Sequence, residues 1–151
     1  MMFRRIGMRK NSENPSAGKA FQYKVQAKAQ ENFGKLFIQE CPVLIGNPPK
    51  EHRFDLVSED HLIIIECKSY TWTKSWNVPS AKLAALDEAI LYMRCIIPSC
   101  SARKIIIMER SFNKKTGETL AEYFVRRKGH LLADIEVMEL DEGGFLRLLT
   151  C

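Results

Sequence analysis

The chain has 151 residues, 46% of them hydrophobic and 27% charged, the composition of an ordinary globular domain long enough to bury a core. No apolar run approaches the ~18 residues of a membrane span. The basic start, MMFRRIGMRKNSENPSAGK, lacks the apolar centre of a secretory signal. A net charge of +5 and a pI near 9.0 favour an anionic partner.

Residues 1–15 read as a flexible basic arm and 16–151 as one domain. Phe21, Val25 and Ala29 recur every four residues, which predicts a helix over 16–33 that ends at Gly34. KLFIQECPVLIG reads as a strand interrupted at Pro42, and GNPPKE as a loop. HRFDLVS and HLIIIECKS are two strands of a hairpin that turns at Glu59-Asp60. YTWTKSWN reads as a loop that exposes Trp72 and Trp76. Pro79 opens a second helix with Leu83, Leu86, Ile90 and Leu91 on its apolar side and Pro98 as its stop.

RKIIIMER is apolar without alternation, as a central strand is. Thr119 followed by Glu122 is a capping box that opens LAEYFVRRK. Arg126, Arg127 and Lys128 complement the negative end of that helix, and Gly129 closes it. LLADIEVMEL and GFLRLL end the chain as strands. The order α-β-β-β-α-β-α-β, with room for one more strand, predicts an α/β fold with a mixed central sheet flanked by helices.

Residues two apart in a strand share a face, so Glu66 and Lys68 project together at the end of the isoleucine run. If Glu59 and Asp60 form the turn, Asp55 lies opposite Ile64 and diagonal to Glu66, on the same face. Glu66 and Lys68 alone read as an ion pair. Two carboxylates at the end of a buried sheet repel each other and lose solvation, and one lysine offsets this only in part. A divalent cation such as Mg²⁺, which favours hard oxygen ligands, would relieve the conflict.

FDLVSEDHLIIIECKSY, within the order α-β-β-β-α-β, resembles the core of the PD-(D/E)xK nuclease superfamily, the restriction-endonuclease-like proteins. The likeness spans roughly two thirds of the chain. It implies that Asp55 and Glu66 bind Mg²⁺, which Mn²⁺ could replace, with the backbone carbonyl of Cys67 as a further ligand. Lys68 would orient or deprotonate the attacking water and stabilise charge on the phosphate. The implied activity is metal-dependent hydrolysis of phosphodiesters, in DNA more than RNA, by a homodimer. The other reading is a module of the same fold that binds nucleic acid or protein without cutting. Such nucleases often carry a glutamate in the first helix, where GKAFQ has Gln22; Glu31 lies too far along to replace it. Lys82 fits the polar position that many relatives have in the second helix, and equally fits a solvated lysine.

Asp134 and Glu136 read as a solvated strand face, and Glu109 as a partner of Arg110 or a neighbour. Trp72 and Trp76 could stack on bases of an opened strand, pack over the core or meet a second copy. His61 reads as exposed in its turn. The five cysteines (Cys41, Cys67, Cys95, Cys100, Cys151) show no Cys-x-x-Cys spacing, and reduced thiols in a cytoplasmic protein are expected. His52, His61 and His130 lack ligand spacing, which disfavours structural zinc.

Overall fold

Ile63–Ile65 and Ile105–Ile107 give two neighbouring strands no polar face, so both sides of their sheet must be covered. The computed structural model, which describes residues 15–97 and 101–150, shows how. The expected arm apart from Pro15, the stop at Pro98, and Cys100 and Cys151 lie outside the described residues.

A six-stranded mixed sheet runs in chain order through β1 (Phe37–Ile45), β2 (Lys50–Ser58), β3 (Ile63–Lys68), β4 (Arg103–Glu109), β5 (Glu136–Leu140) and β6 (Leu146–Leu148). Strands β1 to β3 are antiparallel neighbours, β4 and β5 continue parallel to β3, and β6 turns back. Parallel neighbours require crossovers, supplied by α2 (Ser80–Arg94) and α3 (Leu120–Lys128). The first helix, α1, spans Pro15–Phe33. This is the α/β class and element order that the sequence predicts.

Helix α1 covers one side. Its Phe21, Val25 and Ala29 pack on Leu56, Ile63, Ile65, Ile105 and Ile107. Helices α2 and α3 cover the other, where Leu86, Ile90, Met93 and Phe124 meet Val57, Ile64, Ile106 and Met108. Gly34 ends α1 at φ +63°, a value that favours glycine. The capping box of α3 forms as expected: Thr119 Oγ1 accepts from the Glu122 amide at 3.1 Å, and Glu122 Oε1 from the Thr119 amide at 2.9 Å.

Five local expectations are corrected. Pro42 does not interrupt β1, where it pairs with Arg53; β1 is an edge strand, which tolerates a missing N–H. The irregularity falls at Glu40, with φ +51°. On α2, Leu91 is 60% exposed, while Ala89 and Met93 join Leu86 and Ile90 in the core. That set follows the i, i+3, i+4, i+7 spacing, which Leu91 misses by one position. Strand β5 starts only at Glu136, because residues 129–131 form a 3₁₀ turn and Ala133 takes φ +52°. Trp72 is buried, and Trp76 is half-buried. The hairpin between β2 and β3 is also offset from the expected register.

Candidate active site

The offset arises in the loop. Ser58 Oγ donates to Asp60 Oδ1 (2.7 Å) and accepts from the Ile63 amide (2.9 Å). Asp60 Oδ1 also accepts from the Leu62 amide (3.1 Å). His61, exposed as expected, adopts φ +59°. These side-chain bonds hold residues 59–62 out of the ladder, and the pairs are Val57↔Ile64 and Leu56↔Ile65. Continued one step, this register sets Asp55 opposite Glu66 rather than diagonal to it. The shift is by two residues, which by itself keeps the expected parity. Alternation breaks beside Asp55, however: Phe54 and Val57 both pack on the α2 side while Leu56 packs on the α1 side.

At that step the hydrogen bonds pass from backbone to side chains. Glu66 Oε1 accepts from the Asp55 amide at 3.1 Å, and Asp55 Oδ2 accepts from the Cys67 amide at 2.8 Å. Each carboxylate therefore holds the other's strand. In a strand, the carbonyl of a residue leaves on the same side as its N–H, so that of Cys67 is directed toward Asp55. Lys68 Nζ lies 3.6 Å from Glu66 Oε2. Gln22, 5% exposed on α1, donates Nε2 to the Asp55 carbonyl at 3.2 Å. Lys82 and Lys68 both approach the Tyr70 ring, their ammonium groups 5.4 and 5.9 Å from its centroid.

Glu66 and Lys68 line a cavity of about 190 Å³ on the α2 side, with His52, Arg53, Glu88 and Tyr92. The His52 ring packs against both Phe54 and Tyr92, at 4.7 and 4.1 Å between centroids. Sequence reasoning did not find this wall. A helical spacing of four joins Glu88 to Tyr92, but nothing local connects either to His52 across the sheet.

Burial raises the pKa of Asp55, against the bond from the Cys67 amide and the charge of Lys68. Burial and the charge of Asp55 raise that of Glu66 to about 7. Burial pulls Lys68 down, yet the charge of Glu66, with those of Tyr70 and Asp55, outweighs it and the net shift is upward. The centre is thus a lysinium beside two carboxylates that do not ionise readily together. Among the described residues, no three His, Cys, Asp or Glu side chains gather into a ready-made metal group. Two carboxylates still suit Mg²⁺, which keeps several waters and takes one or two protein carboxylates besides substrate phosphates. The donors present therefore fit that ion.

Gln22 holds Asp55 by donating, which a carboxylate cannot do. Gln22→Glu should lower the unfolding free energy by about 1–3 kcal/mol at pH 8, read from urea midpoints. An unchanged midpoint would mean that the bond to the Asp55 carbonyl contributes nothing.

The remaining candidates serve packing and pairing. Asp134 precedes β5 and pairs with the buried Lys104 at 3.2 Å, and Glu136 pairs with Arg103 at 2.6 Å. Arg110 lies 3.7 Å from Glu139, not against Glu109. Arg126 binds Glu118, and Lys128 binds Asp87. Trp72 donates Nε1 to the Ser111 carbonyl at 2.9 Å and packs edge-on against Tyr123. No described helix is long and apolar enough to cross a membrane. Comparisons of the chain with protein-family models, curated proteins and solved structures find no match.

Proposed function

We propose that this chain is a Mg²⁺-dependent nuclease of the PD-(D/E)xK type that hydrolyses phosphodiester bonds of DNA. The observation that carries the reading is the junction of β2 and β3. There, the buried Glu66 and the half-buried Asp55 exchange hydrogen bonds with each other's strands beside an ion-paired lysine, and Glu66 and Lys68 line an open cavity. Asp55 and Glu66 would hold Mg²⁺, with the Cys67 carbonyl as a further ligand. Bound there, the ion would polarise the scissile phosphate and acidify a bound water.

The chain's own groups do the rest. Lys68, kept protonated by Glu66, offers N–H donors to the phosphate oxygens as negative charge builds on them, and orients the attacking water. Lys82 adds positive charge for the adjoining backbone phosphates. Gln22 fixes the backbone of Asp55 from behind. Two copies facing one duplex would cut both strands, and the reading includes such a homodimer.

The test incubates purified protein with plasmid and single-stranded DNA in Mg²⁺, Mn²⁺ or EDTA, beside Lys68→Ala. Cutting should require metal and fall by roughly a hundredfold or more in the variant, the scale of losing one preorganised donor. Equal cutting by both proteins would sink the assignment. Tight DNA binding with no cutting in any metal would favour a non-catalytic binding module.

A further inference from the structure

A second polar pocket lies on the same sheet face as Lys68. Register partners across the sheet run Lys68↔Met108, Met108↔Glu139 and Glu139↔Arg147. Glu139 is thus two strand spacings from Lys68, about 10 Å. It is only 2% exposed, yet it lines a cavity of about 300 Å³ with Arg110, Arg147, Phe112, Phe145 and the carboxylates of Glu122 and Asp141. Glu122 shares Arg147 with it at 3.7 Å.

Pairing accounts for half of this carboxylate. Oε1 takes Arg147 Nη2 at 2.9 Å, a cross-strand pair that ties β6 to β5, and lies 3.7 Å from Arg110 Nε. Oε2 is buried with no hydrogen-bond partner, a costly state for a charged group unless something binds it. The two phenylalanines beside it are 45% and 65% exposed. Phe145 projects from the β5–β6 turn, and Phe112 is pinned by a bridge to Thr119. Arg110 lies over the Phe112 ring, 5.6 Å from its centroid.

The geometry points to a pocket for one unpaired guanine of the nucleic acid, an inference that rests on the nuclease reading above. Exposed aromatic rings supply stacking surfaces for a base outside a duplex. Once the rim side chains move aside to uncover the buried Oε2, guanine's Watson–Crick edge presents two adjacent N–H donors to the Glu139 carboxylate, and its O6 and N7 accept from arginine. Adenine turns an acceptor nitrogen toward that carboxylate and is rejected. The distance from Lys68 suits a nucleotide close to the scissile phosphate.

Fluorescence anisotropy in EDTA or Ca²⁺, without cutting, tests this. The probes are labelled thymine-run oligonucleotides with one central guanine, adenine or inosine, which lacks the 2-amino group. Guanine should bind about tenfold or more tightly than either substitute, within the discrimination of one bidentate base contact. The preference should disappear in Glu139→Gln. It should also weaken in Phe145→Ala, which alters an exposed ring and leaves the core intact.

Equal affinity for the three oligonucleotides, or a preference that both variants retain, would overturn the inference. So would displacement of the oligonucleotide by an arginine-containing peptide, whose guanidinium also suits a free carboxylate oxygen. Metal-dependent cutting without base preference would defeat this inference alone. A chain that neither binds nor cuts any of the nucleic acids would defeat the nuclease reading with it.

Discussion

Glu66→Gln should make the metal-free protein more stable at pH 8 while abolishing both cutting and stabilisation by Mg²⁺. In the folded chain burial and Asp55 push Glu66 to about 7, against an ordinary 4.5. Between those values the folded state holds a proton that the unfolded chain has released. Stability therefore falls as pH rises through the window, and the whole penalty is present above about pH 7. A shift of this size corresponds to roughly 3 kcal/mol.

The raised pKa of Asp55 acts in the same direction. Asp60, lowered to about 2 by its bonds to Lys35, Ser58 and Leu62, has the opposite sign, but titrates below the window. Glutamine removes the ionisation and can still accept the Asp55 amide through its side-chain oxygen. It cannot replace the carboxylate as a ligand. Thermal melts from pH 5 to 8, in EDTA and in Mg²⁺, separate the effects. The wild type should lose stability with pH in EDTA and regain it with Mg²⁺, by preferential binding to the folded state. The variant should lose the part of the pH slope due to Glu66 and the response to Mg²⁺, keeping the opposed contributions of Asp55, raised by burial, and His52, lowered by burial. A wild type unaffected by pH across this range, or a variant that Mg²⁺ still stabilises, would mean that Glu66 is no metal-bearing carboxylate.

What the sequence showed of this centre was parity, and what it concealed was register. A strand alternates its side chains whatever its partner, so Ile64, Glu66 and Lys68 could be grouped from spacing alone. The register depends on Ser58 and Asp60 capping the loop and on His61 accepting a positive φ. Each is a choice among several loops that the same residues could form. The α1 face was legible because Phe21, Val25 and Ala29 keep one period over about two turns. Leu91 misled because an apolar residue one position off the buried stripe looks the same in a list of leucines. His52 and Glu139 were invisible as site residues for a different reason. Their neighbours Tyr92, Arg110 and Arg147 come from other elements, and only the assembled sheet brings them near.

Trp72→Ala should lower the unfolding free energy by about 3–5 kcal/mol, the usual loss for a large aromatic removed from a core. The loop after β3 reads in sequence as one that could offer two tryptophans to an opened DNA strand. Trp72 instead is 8% exposed, packed edge-on against Tyr123 of α3. Its backbone amide donates to Ser111 Oγ at 3.1 Å and its indole to the Ser111 carbonyl. It thereby fastens the segment carrying Lys68 and Tyr70 to the segment following β4. Trp72→Phe keeps most of the packing but loses the indole donor, and should cost about 1 kcal/mol. Emission from Trp72, isolated in a Trp76→Phe background, should be blue-shifted, resist acrylamide and remain unchanged on adding single-stranded DNA. An alanine variant as stable as the wild type, with emission quenched by DNA, would turn Trp72 from a core anchor into a base-stacking surface.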